Sequence, residues 1–287
     1  MVGRYYTLII DDNFKKNNLE LIAKFSAVSF FISITEYFIA RNRAGYFAYL
    51  NPNYLGSIMM LSAIINLYFF FEKKSKINFI TFILNIVTIL MSGSRTALAA
   101  VVAGILVLFY FYLEKKYFIG CICLFIGYII GVYFGRVPFL RLDSLGEYFK
   151  LRKDIIKIAL RIFKKTNMLY GHGNFYYYKF TNHVYPHSHN ALVELLLSYG
   201  LIGTIALLTV FLRYLYDILR NDRNNVLKIA LIAGIVVHNF TDFAIFWIQT
   251  VLLFIMALSY EEENEQIRGY GFRKIGKIKN KIERNKK

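Results

Sequence analysis

The chain has 287 residues, of which 57% are hydrophobic and 18% charged, and it carries a formal net charge of +17. Soluble globular domains are about half apolar and about a quarter charged, whereas the apolar residues here gather in runs of roughly 17 to 25, the length that spans a bilayer. This composition excludes a soluble fold and predicts an all-α polytopic transmembrane helical bundle. Membrane topology and anionic lipid head groups then explain the positive charge, and no nucleic acid partner is indicated.

Hydropathy predicts eight spans, of which the third and seventh are short and the first is interrupted by Glu20, Lys24 and Glu36. In chain order the spans are Leu19–Ile39, Tyr54–Phe71, Ile77–Met91, Thr96–Leu113, Tyr117–Phe134, Ala191–Leu215, Val226–Phe240 and Phe243–Ser259. The predicted bundle occupies residues 1–260 and includes a long external loop over residues 135–190. A basic cytoplasmic tail is predicted over residues 261–287.

The orientation is predicted from the lysine and arginine residues of the short loops, which favour the cytoplasmic side. Lys73, Lys74, Lys115 and Lys116 share one side with the basic tail. We expect this side to be cytoplasmic, and eight spans then place both termini there. The loop over residues 135–190 becomes external although it carries ten basic and three acidic residues, because it is near the length at which loops cross regardless of charge.

Part of the external loop, from Leu145 to Lys165, has the pattern of an amphipathic helix. Its apolar residues recur at steps of three and four, and lysine and arginine take most of the remaining face. Such a helix could lie on the outer leaflet with its basic face toward lipid phosphates. Alternatively, it could cap the bundle and leave its charges solvated.

Four polar elements converge on the predicted external side, which is the main argument for a site there. They are Arg41-Asn42-Arg43 with Asn51-Pro52-Asn53, Ser92-Gly93-Ser94-Arg95, Gly171-His172-Gly173, and the segment that begins at His189-Asn190. In the last element, nine residues separate Asn190 from Gly200-Leu201-Ile202-Gly203. His189 lies where a span meets water, and an imidazole suits general acid or base work near neutral pH.

Two of these elements have both a structural and a functional interpretation. Arg95, the hydroxyl groups before it and the amino terminus of the next span could form an anion site, or the guanidinium could snorkel to a lipid phosphate. Asn51 and Pro52 are expected to cap the second span. Arg41 and Arg43 before them are candidate phosphate or sugar contacts.

The histidine residues make a metal site conceivable, yet we predict none. His183, His187 and His189 cluster around Pro186, but the sequence places no acidic or cysteine partner close to them. Cys121 and Cys123 lie inside an apolar run, which is typical of neither a zinc site nor a disulfide framework. His238 is expected to form a helix-terminal hydrogen bond with Asp242.

Aromatic residues follow the Gly171-His172-Gly173 turn over Phe175–Tyr178. At a membrane interface such residues usually form an aromatic belt, although they could also stack on sugar rings.

Taken in order, these motifs resemble those of the bacterial O-antigen ligase and O-antigen polymerase superfamily. The resemblance rests on Asn51-Pro52-Asn53 leading a span, Ser92-Gly93-Ser94-Arg95, and Arg152 ahead of Gly171-His172-Gly173. It ends with the spacing from His189-Asn190 to Gly200-Leu201-Ile202-Gly203, and it covers roughly Arg41 to Phe240. Members of the family commonly have more spans than this chain, so we expect it to be short at the amino terminus.

The resemblance implies a glycan ligase or polymerase on the outer face of the bacterial cytoplasmic membrane. The donor would be a glycan on undecaprenyl diphosphate, the acceptor a lipid, a glycan or a protein, and neither a metal nor another cofactor would be needed. His189 would deprotonate or position the acceptor hydroxyl, while Arg95 and Arg152 would hold the diphosphate leaving group. The predicted substrate-binding residues are Arg41, Arg43, Asn53, Ser94, His172 and Asn190.

Two other functions remain open from the sequence. A transporter or flippase of lipid-linked oligosaccharides would require ionisable groups at mid-bilayer and broken helices in related positions of two halves. Few such groups are found, and Glu194 lies close to the external interface. A non-catalytic component of a surface-polysaccharide assembly complex is the other alternative.

Overall fold

The computed structural model describes residues 11–40, 43–134, 145–165, 167–182, 184, 187–220 and 225–260. Within these ranges the chain forms α-helices and one short 3-10 helix, and no strand. The helices are α1 (Asp12–Phe25), α2 (Ala27–Ala40), α3 (Pro52–Lys73), α4 (Lys76–Ser92), α5 (Arg95–Tyr112), α6 (Lys115–Tyr133), α7 (Leu145–Lys165), α8 (Tyr176–Phe180), α9 (Ala191–Arg220), α10 (Val226–Thr241) and α11 (Ile248–Leu258). The predicted all-α polytopic fold is therefore confirmed.

Each predicted span coincides with one of these helical segments. Five segments are long and apolar enough to cross a membrane, namely Asn13–Ala40, Pro52–Lys73, Arg95–Tyr112, Lys115–Val132 and Ala191–Arg220. Three shorter apolar helices, α4, α10 and α11, complete the set. The third and seventh predicted spans, α4 and α10, are indeed among the short ones.

The eighth span differs from its prediction as one continuous helix over Phe243–Ser259. A 3-10 turn over Ala244–Phe246 precedes α11, which begins only at Ile248. Side chains capture backbone donors here: Phe243 N–H donates to Asp242 Oδ1 at 3.0 Å, and Ile245 N–H donates to Asn239 Oδ1 at 3.2 Å. Such bonds compete with the helical ladder, so the helix starts late.

The charges that interrupt the first predicted span are all accommodated by specific partners. Glu20 pairs with Lys24 at 2.7 Å and also with Lys73 of α3. Glu36 is buried and accepts the backbone N–H groups of Gly45 and Tyr46, both at 2.7 Å. A carboxylate that accepts several backbone donors is well compensated away from water, so Glu36 fixes the loop between α2 and α3.

The core is built around α3, which is buried along most of its length and packs against α1, α4, α5, α10 and α11. The contact of α5 with α10 is close because glycines lie in it. A Cβ at Gly104 would lie 2.3 Å from Ile64 and 3.1 Å from the Ala230 carbonyl oxygen. Small residues let backbones approach and drive helix association in membranes by van der Waals packing. By contrast, the predicted span in α6 has no buried residue and lies at the edge of the bundle.

The amphipathic helix α7 packs against protein with its apolar face. Ile155, Ala159, Ile162 and Phe163 form a second buried cluster with Val193 and Leu197 of α9 and with Tyr177 of α8. The Tyr177 hydroxyl donates to the Ile155 carbonyl at 3.1 Å. Thus α7 covers the first turns of α9 and turns its lysines outward.

Candidate functional site

The candidate site lies where α3, α5 and α9 begin and α10 ends. Its centre is the carboxylate of Asp242, which is fully buried. One oxygen, Oδ1, faces His189 Nδ1 at 3.5 Å and His187 Nε2 at 3.7 Å. The other oxygen, Oδ2, accepts from Asn53 Nδ2 at 3.3 Å and lies 3.8 Å from Arg152 Nη2. Four segments distant in sequence therefore meet at one carboxylate.

Asp242 remains ionised despite its burial. Burial raises the pKa of its carboxyl group, but the close contact with His189 and the charges that His238 and His187 can carry outweigh this effect. The pKa falls to about 2. At neutral pH the centre of the site is thus a fixed negative charge.

His189 lies between this charge and solvent. Its side chain is 21% exposed, and Nδ1 faces the carboxylate at 3.5 Å, at the long limit of a hydrogen bond. Nε2 is then the ring nitrogen that can act on a substrate. The buried carboxylate thus lies on the Nδ1 side of the His189 ring.

The backbone at His189 is strained and is held by a local network. His189 has φ +54, a left-handed conformation uncommon for residues other than glycine. Its N–H donates to His187 Nδ1 at 3.2 Å, and Ser188 N–H donates to Glu194 Oε2 at 2.9 Å. The Ser188 hydroxyl donates to the Asn190 carbonyl at 3.1 Å. Strain that is fixed by its surroundings is common at functional sites.

His187 serves this network as a neutral ring. Burial lowers the pKa of its imidazole, Asp242 raises it in part, His189 and Arg152 lower it further, and the result is about 4. The ring stacks on Phe243 with centroids 5.3 Å apart. A neutral His187 can accept the backbone N–H of His189 at Nδ1, as observed.

Arg152 is delivered to the site by α7. Because α7 buries its apolar face against α9, the Arg152 side chain is directed inward and is only 7% exposed. Its Nη1 donates to Thr96 Oγ1 at 3.5 Å, and Thr96 Oγ1 lies 2.9 Å from Thr241 Oγ1. Arg95, the first residue of α5, directly precedes Thr96 and therefore lies at the same end of the bundle.

The other predicted substrate-binding residues have structural contacts. Arg43 donates to the Ser92 carbonyl at 2.7 Å and to Asn53 Oδ1 at 3.0 Å, so that Asn53 bridges it to Asp242. Asn51 caps α3 by accepting from Asn53 N–H at 2.8 Å, as the sequence indicated. Ser94 is the buried cap of α5. These contacts do not test whether Arg43, Asn53 and Ser94 bind substrate, so their binding roles stay predictions.

Asn190 and His172 are also tied into the fold. Asn190 accepts from Val193 N–H at 3.1 Å and donates to the Phe240 carbonyl at 3.0 Å, so its amide joins α9 to the end of α10. His172 Nε2 accepts from Asn167 N–H at 3.2 Å, and its ring stacks on Tyr176 with centroids 4.1 Å apart. Their binding roles likewise stay predictions. Arg41, His183 and Pro186 lie outside the described residues.

The two glycine motifs are physically joined. Gly200 interrupts α9 with φ 65 and ψ −170, which frees backbone groups on both sides of the kink. The turn at Gly171 satisfies them: His172 and Gly173 N–H donate to the carbonyls of Leu197 and Ser198 at 2.9 and 2.8 Å, and Leu201 N–H donates to Met168 O at 2.8 Å. A Cβ at Gly200 would lie 2.3 Å from the Leu169 carbonyl oxygen. Only glycine fits there.

Two expectations from the sequence need correction. An acidic partner does lie near the histidine cluster, because Asp242 is brought there from beyond α10. His238 does not form the expected hydrogen bond with Asp242: both its ring nitrogens lack a hydrogen-bond partner among the described residues, and the ring packs edge-on against Trp247. Asp242 adopts an extended backbone, and its oxygens turn to Asn53, His189 and Phe243 instead.

The donor set of His187, His189 and Asp242 could hold a cation by distance alone, since their ligand atoms lie within 4.8 Å of one another. However, the guanidinium of Arg152 lies 3.8 Å from the same carboxylate. Its positive charge opposes a divalent ion there. That no metal is required therefore stays a prediction.

The fold and the site together define a polytopic helical membrane protein with a buried His–Asp–Arg cluster at one end. Residues 80–208 match the family model described as O-antigen ligase. This part of the chain is thus similar to the O-antigen ligase family, and the resemblance inferred from the motifs is confirmed. The match supports a membrane enzyme of the O-antigen ligase or polymerase type, with lipid-linked glycan substrates in general. No curated protein and no solved structure matches the chain.

The matched region is narrower than the resemblance inferred from the sequence. It contains Arg95, Arg152, His172 and His189 but ends within α9, before Asp242. The Asp242 carboxylate at the centre of the site therefore lies outside the matched region. Sequence reasoning missed this role of Asp242. The available signal was an acidic residue directly after an apolar helix, at the end predicted to face the histidines.

Proposed function

We propose that the protein transfers a glycan from an undecaprenyl-diphosphate-linked donor to a hydroxyl group of a lipid, glycan or protein acceptor. We also propose that it does so on the outer face of the bacterial cytoplasmic membrane, with both termini cytoplasmic. The observation that carries the proposal is the His189 ring between the buried, ionised Asp242 and solvent, with Arg152 beside the same carboxylate. The family match supports the class of reaction.

His189 acts as the general base in this proposal. Nε2 takes the proton from the acceptor hydroxyl as the acceptor oxygen bonds to the anomeric carbon of the donor sugar. The imidazolium that forms is stabilised by the Asp242 carboxylate at 3.5 Å. After product release the proton passes from His189 to water, which restores the neutral base.

Arginines stabilise the leaving group. As the bond between the anomeric carbon and the diphosphate oxygen breaks, that oxygen gains negative charge, and fixed cations aimed at it lower the barrier. Arg152 is held by Asp242 and Thr96, and Arg95 starts the helix that contains Thr96. The donor bond itself supplies the driving force, so no metal, nucleotide or redox cofactor takes part.

The membrane contributes to the rate when both reactants are lipid-anchored. Two such reactants diffuse in one plane, and a site at the end of a helical bundle holds their reactive ends together. This arrangement reduces the entropic part of the barrier.

The test is transfer by the purified full chain in vesicles, with a lipid-linked oligosaccharide donor and candidate acceptors. We expect the His189→Ala protein to insert normally and to form no product. Lys157→Ala serves as the matched control, because Lys157 lies on the exposed face of α7 and should leave transfer unchanged. Normal product from the His189→Ala protein would overturn the catalytic assignment. Donor translocation without transfer by the unsubstituted chain would favour a flippase.

A further inference from the structure

The turn between α7 and α8 exposes an unusual set of apolar side chains. Met168, Leu169 and Tyr170 are consecutive and are 39%, 51% and 68% exposed, and nearby Phe175 is 74% exposed. None of them belongs to the cluster that holds α7 against α9. In an aqueous loop such a patch would be unfavourable, and exposed apolar patches usually mark a surface that contacts a partner or a membrane.

The backbone of the same turn is largely paired within the protein. Asn167 Oδ1 accepts the N–H groups of Leu169 and Tyr170 at 3.2 and 3.3 Å. The Asn167 carbonyl accepts Gly171 N–H at 3.1 Å, and the Asn167 N–H donates to His172 Nε2 at 3.2 Å. Loops in water need no such pairing, whereas backbone groups that enter hydrocarbon must be satisfied internally. The turn therefore combines exposed apolar side chains with backbone groups that are hydrogen-bonded within the protein.

The turn is attached to α9 where the lipid-facing part of that helix begins. The carbonyls of Met168 and Leu169 accept the N–H groups of Leu201 and Ile202. From Ile202 onward α9 exposes apolar residues, including Ile205 and Val210, which are 61% and 69% exposed. Beyond the kink at Gly200, the part of α9 from Leu201 to Arg220 is about 30 Å long, which matches the roughly 30 Å hydrocarbon layer. The first turns of α9, which α7 covers, can therefore project beyond the layer while the kink lies near its boundary.

Positive charge lies next to the apolar tip. Lys164 and Lys165 end α7 and are exposed, and further exposed lysines lie along the same helix. Apolar side chains flanked by lysine are the combination that binds the boundary between acyl chains and anionic head groups.

We infer that Met168, Leu169 and Tyr170, together with Phe175, insert into the lipid leaflet on the side of the candidate site. The adjacent lysines contact anionic phospholipid head groups. The turn is thus a membrane anchor that seats α7 and the buried cluster at a fixed height above the bilayer. This inference concerns a lipid surface and does not rest on the proposed chemistry.

The experiment measures the depth of single labelled positions in the full chain. Cys121→Ser and Cys123→Ser remove the native thiols, and Leu169→Cys or Lys157→Cys then carries an environment-sensitive fluorophore. The protein is reconstituted in vesicles of phosphatidylcholine with phosphatidylglycerol. We expect a blue-shifted emission at position 169, strong quenching by acyl-chain nitroxide lipids and weak quenching by iodide. Position 157, on the solvent face of α7, should show the reverse.

A second labelled position keeps the test informative if Leu169→Cys disturbs folding. Tyr170→Cys replaces the most exposed of the three side chains, so it disturbs the packing least and should give the same result. Iodide quenching of positions 169 and 170 equal to that of position 157 would overturn the inference. Catalytic loss in other variants has no bearing on this outcome, because the readout is the depth of the label.

Discussion

The Asp242→Asn substitution tests the centre of the site most directly, because it removes a negative charge and preserves the shape of the side chain. The unsubstituted carboxylate lies 3.5 Å from His189 Nδ1. With an effective dielectric constant of about 20, its attraction for an imidazolium at that distance is about 5 kcal/mol. Arg152 at 3.8 Å and the Asn53 amide already offset part of this charge. We therefore expect a loss of about 2 to 4 kcal/mol of transition-state stabilisation, or roughly 30- to 1,000-fold in rate.

The assay is initial-rate transfer by the reconstituted chain with donor and acceptor varied separately. Because the imidazolium forms only during reaction, kcat should fall while the KM for the donor changes little. Asp154→Asn is the matched control, since Asp154 is an exposed acidic residue on α7. Thermal unfolding must be compared as well, because the substitution leaves Arg152 without its buried counter-charge. A stable Asp242→Asn protein with normal kcat would refute the role of the carboxylate.

Four further predictions follow from the same contacts. Glu194→Ala leaves the buried Ser188 N–H without its acceptor, which costs about 1 to 3 kcal/mol of stability. The kcat for transfer should fall as a result. Glu194→Gln retains an acceptor oxygen and should restore most of the lost kcat. Gly200→Ala places a methyl group against a carbonyl and should lower the thermal unfolding temperature, whereas Gly127→Ala, with open space around it, should not. The folded-state pKa of His187 is about 4 against 6.5 when unfolded, so the unfolded state takes up the proton first, and this group alone should lower stability by about 3 kcal/mol as the pH drops from 6.5 to 4. A His187→Asn protein should show a correspondingly smaller pH dependence in a thermal melt. Finally, EDTA dialysis followed by the transfer assay should leave the rate unchanged, and restoration of a lost rate by a divalent cation would show that the histidine cluster holds a metal.

The sequence predicts most of the fold because hydropathy and helix ends are local properties. Apolar runs define the spans, and Asn51 with Pro52 marks the start of α3 as observed. The gathering of Arg43, Asn53, Arg152 and His189 near one end of the bundle was also predictable. Arg43, Asn53 and His189 lie at predicted span boundaries and Arg152 lies in the predicted loop over residues 135–190, so the span count alone predicts the same end of the bundle for all four.

The features that the sequence does not predict depend on packing between distant segments. Nothing local to Asp242 indicates that its carboxylate lies against His189 rather than His238, since this follows from how the end of α10 meets the start of α9. The kink at Gly200 is similarly non-local, because it is stable only where the turn at Gly171 supplies hydrogen bonds. The placement of α7 on α9 could not be decided from amphipathicity, since an apolar face fits protein and lipid equally well.

The position of Asp242 after α10 has a consequence for how the protein is made. Synthesis proceeds from the amino terminus, so His189 and Arg152 leave the ribosome before the residue that orients them. Until α10 has inserted and its end has reached α9, the imidazole and the guanidinium lack the negative charge of Asp242 beside them. If His189 acts as proposed, the centre is therefore complete only after α10 is in place, late in the synthesis of the chain.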